Sequence, residues 1–264
     1  MTPSFAGLVT AGAACVLAMM LFLWTLQQKM KNAGLVDLGW ALSILIMSTV
    51  YFAAAPGYPA RKMLVFVMPF CWALRLSAHL LKRFLNERRE DPRYKKIRGQ
   101  QGNRASEFFL FFFLLQGVLA VILSAPFFLA SLNSEPKLHR LEIGAFALWA
   151  VSFFGEALAD GQMRKFKNNS ANRGKVCQAG LWRYSRHPNY FFECLIWISY
   201  FLFALASPGG YWAAVSPALM IFFLLKVSGV PPAEEQSLLS RGDSYRRYQK
   251  TTSILVPWFK KKIV

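Results

Sequence analysis

Apolar residues in this chain gather in long blocks separated by short polar stretches; they do not alternate with polar ones. A run of about 18 mostly apolar residues is long enough to cross the hydrocarbon core of a bilayer as a helix. Seven runs approach or exceed that length, at roughly 5–26, 33–54, 63–81, 107–131, 142–161, 190–206 and 211–229. The pattern predicts an all-α, polytopic membrane protein with seven transmembrane helices. The sixth run is short, and Pro208-Gly209-Gly210 after it predicts a tight turn that folds the last two spans into a hairpin.

Composition supports this class, with 55% hydrophobic residues, 24 Phe and 8 Trp in 264. The net charge of +18 would suit a nucleic-acid partner, but its distribution argues against one. Segments after spans 1, 3, 5 and 7 carry 2, 9, 7 and 7 Lys/Arg, while the other connections carry 2, 2 and none. Arg75 and Lys226 lie inside spans. That asymmetry is the positive-inside pattern and predicts the N-terminus outside, with the basic segments cytoplasmic. Anionic lipid would draw on part of the charge. The nine cations after span 3 and the seven after span 5 exceed what orientation needs, which points to a polyanionic ligand such as a dinucleotide. The first run is too long for a signal-peptide core and lacks a basic flank, so it is expected to remain as the first helix. Cys15, Cys71, Cys177 and Cys194 are scattered without metal-ligand or disulfide spacing. Neither a repeat nor a linker interrupts the chain, which predicts one domain over 1–264 with the tail 231–264 part of it.

Polar residues inside or beside spans are costly in lipid and mark candidate sites. The densest stretch, GLWRYSRHPNYFFE at 180–193, carries Trp182, Tyr184, Arg186, His187, Asn189, Tyr190 and Glu193 into the sixth span. Arg186 and His187 offer anion-binding donors, and Asn189 and Glu193 share a helix face at i, i+4. A basic, aromatic interfacial belt would explain Trp182, Arg183 and Arg186. It would not explain Asn189 and Glu193, so a ligand site is favoured. In span 2, Asp37 serves either as a helix cap or as an inward-facing carboxylate. Span 3 places Arg75, His79 and Arg83 on one face. Asp37 is the nearest obvious partner for Arg75, and Arg83 would snorkel. The following Glu90-Asp91-Pro92-Arg93-Tyr94 group is either a solvated charged loop or an ordered functional turn. Span 5 carries Glu156 and Asp160, then Gln162, Arg164 and Lys167, acids that suit ribose hydroxyls beside cations that suit phosphates. No GxGxxG occurs, so a nucleotide would bind between helices rather than on a Rossmann unit. In the tail, Pro231-Pro232 ends span 7, Glu234 to Arg241 suits an interfacial helix, and Glu235, Tyr245 and Tyr248 are expected to close over the site.

GLWRYSRHPNYFFE, the preceding ADGQMRKFK, LRLSAHLLKR with EDPRY, and YRRYQKTTSILVP together resemble bacterial membrane proteins of unknown function grouped with the steroid 5-alpha-reductases. The resemblance covers nearly the whole chain. Its wider superfamily includes sterol delta-14 reductases, which use NADPH, and isoprenylcysteine carboxyl methyltransferases, which use S-adenosylmethionine. Asn189 followed by Glu193 is similar to the reductase branch, as is Asp160 with Arg164. Lys167 stands where a further Arg is usual, Tyr248 matches a tail tyrosine, and Phe192 replaces a usual Gly. The resemblance implies an NADPH-dependent membrane reductase of a conjugated carbon–carbon double bond in a steroid-like or other lipid-soluble enone. It implies a cofactor site of Asp160, Arg164, Lys167, Tyr184, Arg186, His187, Asn189, Tyr190, Glu193, Glu235 and Tyr248, facing the cytoplasm of a bacterial inner membrane. The steroid enzymes also use a Gln-Glu pair and a Tyr after the third-span His to polarise the carbonyl. Here that pair is missing and Leu80 follows His79, so Asp37 or His79 is expected to do that work. The alternatives are an S-adenosylmethionine-dependent methyltransferase and a non-catalytic lipid-binding protein of the same fold.

Overall fold

The computed structural model describes residues 4–86 and 90–260. Among them are seven helical segments long and apolar enough to cross a membrane: Phe5–Met30, Leu35–Ala54, Pro59–Leu85, Pro92–Leu132, Arg140–Asn168, Pro188–Leu205 and Gly210–Arg241. No strand occurs among the described residues, so the all-α, seven-span architecture expected from the blocks is the one observed. Arg88, Arg89, Lys261 and Lys262, counted above for orientation, lie outside the described residues.

Spans 1 to 3 are single helices, α1 (Phe5–Met30), α2 (Leu35–Ala54) and α3 (Pro59–Asn86). Ser4 caps α1 by accepting from the Gly7 amide, and α2 stops where Ala55 turns extended ahead of Pro56. The fourth span is composite. It consists of α4 (Pro92–Gln101), a 3-10 turn, α5 (Ala105–Leu123) and α6 (Ala125–Leu132). Asp91 caps α4, Pro92 starts it, and Pro126 starts α6. The fifth and sixth spans are α7 (Arg140–Asn168) and α8 (Pro188–Leu205). The seventh is broken into a 3-10 turn, α9 (Val215–Phe222), a π-helical turn over Phe223–Val227, and α10 (Val230–Arg241). Pro231 and Pro232 have no amide hydrogen to offer the preceding turn, so the helix breaks inside the span and α10 starts afresh at Val230. α11 (Asp243–Thr251) follows.

The chain packs as two compact units, Met1–Ile143 with Tyr200–Ser216, and Gly144–Ser199 with Pro217–Val264. In the first unit α2 packs against α1, α3, α5 and α6. Glycines take the close approaches: Gly12 faces Met47, Gly39 faces Met20 and Leu23, and Gly117 faces Val16. Lipid gives helices no hydrophobic drive to associate, so small residues that permit close packing supply much of the contact energy. Met20, Ile44, Met47, Trp72, Phe109 and Phe113 fill that interior. Arg61 and Glu142 lie inside it too, 1% and 0% exposed. The exposed residues along the spans are themselves apolar, including Phe22, Phe111, Val151 and Phe154. A surface of that kind belongs in lipid, and the chain is a multi-pass membrane protein.

In the second unit, the segment after α7 returns over that helix to start α8. α10, α11 and the tail join the same unit.

Candidate functional site

Three hydrogen-bonding features place the 180–193 stretch. The Leu181 amide donates to Gln162 Oε1 at 2.9 Å, and Trp182 Nε1 donates to the Ala159 carbonyl at 2.9 Å. Gly180 makes this docking possible: its φ is +56°, and a Cβ there would lie 2.5 Å from the Gln162 side chain. Gln162 therefore clamps the loop to α7. The third feature is the tail, which runs beside residues 184–186. The Arg186 amide donates to the Ser253 carbonyl at 2.9 Å, Ser185 Oγ to the Leu255 carbonyl at 2.7 Å, and the Trp258 amide to the Tyr184 carbonyl at 3.0 Å.

Glu234 organises the polar interior of this region. Its Oε1 lies 3.0 Å from His187 Nε2 and accepts from the Tyr245 hydroxyl at 3.0 Å; Gln249 Nε2 donates to Oε2. Arg186 Nε stands 3.3 Å from Oε1, close enough for an ion pair but without hydrogen-bond alignment. Tyr248 directs its hydroxyl at the Trp182 and Ser185 carbonyls, 3.0 Å from the latter. Burial, then the Glu234 charge, pushes the Tyr245 phenol well up, and burial does the same for Tyr248. Both rings therefore stay neutral donors at physiological pH. The His187 and Tyr190 rings stack at 5.3 Å and 7°.

Pro188 begins α8, which sets Asn189 and Glu193 on successive turns of one face. Glu193 is buried and accepts from Trp197 Nε1 at 2.9 Å. Asn189 Oδ1 is buried and has no hydrogen-bond partner among the described residues. On α7, Glu156 is buried, Asp160 half-buried, and Arg164 and Lys167 exposed. Phe192 packs its ring into the space that Gly155 leaves open, where a Cβ would sit 2.5 Å from it.

The first unit carries a separate polar cluster. Gly34, not Asp37, occupies the N-cap of α2, and Asp37 sits in the first turn. Asp37 accepts from the Tyr94 hydroxyl at 2.6 Å and from Arg93 Nη2 at 3.3 Å, with Arg83 Nη2 at 3.6 Å. Arg93 also bonds Asp91, through Nε at 3.0 Å and Nη2 at 3.1 Å. Burial favours a neutral Asp91, but the Arg93 side chain and amide, with the Arg93 and Arg83 charges, outweigh it and hold the carboxyl below its usual range. Glu90 accepts from the Ala33 amide at 2.9 Å and pairs with Arg98 at 2.8 Å. The Glu90–Tyr94 group is thus ordered, and Arg83 turns toward Asp37 and Asp91. His79 is exposed on α3.

The structure brings Arg186, His187 and Tyr248 together around the start of α8, with Tyr184 half-exposed beside the tail. Glu235 is exposed on α10 while its neighbour Glu234 holds the interior. Two residues went unassigned in the sequence. Glu234 shares its composition cue with Glu235, and only the helix register separates them. Tyr94 was marked only as part of the Glu90–Tyr94 group, and its partner Asp37, 57 residues away, was not legible.

An uncharacterized protein of Schizosaccharomyces pombe is 28% identical over 211 residues, 70% of this chain and 61% of the relative. The chain thus spans about three fifths of that relative's length. No solved structure matches it. The model of a family described as a protein of unknown function, DUF1295, matches residues 23–252, which takes in both units and every candidate residue above, and the chain belongs to that family.

Proposed function

We propose that this protein is an integral-membrane, NADPH-dependent reductase of a conjugated carbon–carbon double bond in a lipid-soluble enone. One observation carries the proposal: Asn189 Oδ1 is buried without a donor, at the start of a span and one turn from the buried Glu193. An unsatisfied buried acceptor costs about 1–3 kcal/mol. A ligand N–H would remove that cost, and a nicotinamide carboxamide is such a donor. NADPH would supply the hydride. Asn189, Glu193 and Tyr190 would hold its nicotinamide end, Asp160 a ribose, and the exposed Arg164 and Lys167 the phosphates. Arg186, His187 and Tyr248 would act through Glu234 and the loop carbonyls, by fixing the segment that starts α8. In the first unit, Asp37, which holds the Tyr94 hydroxyl, and His79 on α3 are the groups proposed to polarise the carbonyl of the substrate. The cation distribution supports a cofactor site on the cytoplasmic side of the membrane, which we take to be a bacterial inner membrane.

Equilibrium titration of the purified protein tests this. NADPH is expected to bind saturably to the wild type and weakly to Asn189→Ala. No binding at millimolar NADPH overturns the proposal. Binding of S-adenosylhomocysteine instead, indifferent to Asn189→Ala, moves the protein to the methyltransferase branch.

A further inference from the structure

A cleft of about 390 Å³ opens in the second unit where α7 ends. That size lies within the range of small-ligand sites, roughly 300–1,000 Å³. Lys167, Arg173, Lys175 and Arg241 line it, and its ten lining residues include no Asp or Glu. None of these four cations has an ion pair among the described residues. Cations at a helix C-terminus answer its partial negative charge. That accounts for Lys165 and Lys167 in the last turn of α7 and for Arg241 in the last turn of α10, but not for Arg173 and Lys175, which lie in the turn between helices.

The walls are built rather than loose. The Lys175 amide donates to the Asn172 carbonyl at 3.0 Å. Arg173 has φ −58° and ψ 129°, and Gly174 has φ +76°. Those angles make a type II turn, whose third position needs glycine. The turn sets Arg173 and Lys175 on either side of a residue with no side chain. Asn172 Nδ2 ties it to the Phe166 carbonyl at 3.0 Å, and Asn169 Oδ1 accepts from the Ala171 amide at 3.0 Å. From α10, Arg241 Nε donates to the Lys175 carbonyl at 2.9 Å. A 3.5 Å contact to Ser240 Oγ is the only bond made by its terminal nitrogens among the described residues.

We propose that this cleft binds a phosphate group, carried by a soluble organic phosphate or by an anionic lipid headgroup. Phosphate matches the forked donors of Arg and the point charges of Lys, and positioned amides and amines bind it through charge-assisted hydrogen bonds. The proposal goes beyond the reductase scheme: only Lys167 is common to both, and the other three cations had no part in it.

The full chain, in nanodiscs of phosphatidylcholine, would be titrated with inorganic pyrophosphate. In a second arm, native mass spectrometry would count phosphatidylglycerol retained from mixed nanodiscs. Arg173→Gln with Lys175→Gln is the cleft variant, Arg241→Gln an independent second one, and Lys250→Gln on the exposed side of α11 the control. Melting midpoints would confirm that each folds. Phosphate binding in at least one arm, weaker by about ten-fold or more in the cleft variant and unchanged in the control, is the expected result. The arm that responds identifies the source. Binding in neither arm, or an equal loss in Lys250→Gln, overturns the proposal. Pyrophosphate binding without NADPH binding leaves the cleft standing and removes the reductase; NADPH binding without phosphate in either arm removes the cleft alone.

Discussion

The Arg61–Glu142 and Asp37 clusters of the first unit use arginine and carboxylate in opposite ways. Arg61 donates to both oxygens of Glu142 and to the carbonyls of Asn133, Glu135 and Lys137, so all five of its N–H groups are engaged. Glu142 also accepts from the His139 amide at 2.6 Å, ahead of the helix it helps to start. Nothing in that knot is left to bind a ligand, and water does not reach it. The Asp37 cluster shares Arg83, Arg93 and Tyr94 between two carboxylates, with Asp37 25% and Arg93 39% exposed. A closed set of donors and acceptors holds a fold together; an open one has groups to lend to a substrate.

The contrast predicts a ranking of stability losses. Arg61→Ala leaves Glu142 charged and buried, and is expected to cost about 3–5 kcal/mol by reversible unfolding in detergent. Arg61→Met with Glu142→Leu should cost much less than either single change, because removing both charges removes the desolvation problem. Equal losses would place the knot's worth in packing alone. Glu234→Ala comes next, at about 1.5–3 kcal/mol, since it strips His187, Tyr245 and Gln249 of an acceptor and Arg186 of its ion-pair partner. Limited proteolysis after Arg246 and Arg247 should accelerate in the same variant.

Asp37→Asn sharpens the comparison at its open end. The expected stability loss is about 1 kcal/mol or less, as for a partly exposed pair. Turnover should fall strongly, with NADPH affinity held within about a few-fold. Full turnover by this variant would remove Asp37 from the site. A stability loss of the same small size is expected at Asp91, whose replacement by Ala removes the α4 cap for about 1 kcal/mol. Its carboxyl is held below its usual 3.8, so its contribution is complete at neutral pH and drains away as pH falls from about 4 through the folded value. The acid limb of a melting-temperature profile should therefore be shallower in Asp91→Asn.

Much of the architecture was legible before the structure. Each span must satisfy its own backbone in lipid, so a block of apolar residues is its own evidence for a helix. The Pro231-Pro232 break and the start of α8 at Pro188 were legible for the same local reason. The extension of the fourth span back to Pro92 was not, because PRYKKIRGQQ has no apolar stripe and holds its shape through Asp91 and the contacts of Tyr94.

The candidate site divides along the same line. Residue types and spacing in 180–193 marked the place, and the i, i+4 step set Asn189 and Glu193 on one face. Which groups are spoken for was invisible. Glu234 rather than Glu235 takes the charges, Gln162 is a clamp, Asp37 meets Tyr94, and Asn189 keeps a buried acceptor open. Local backbone chemistry and the bilayer requirement act over a few residues and are written into the sequence by itself. Partners of polar side chains lie tens of residues apart, and only tertiary packing decides which donor reaches which acceptor.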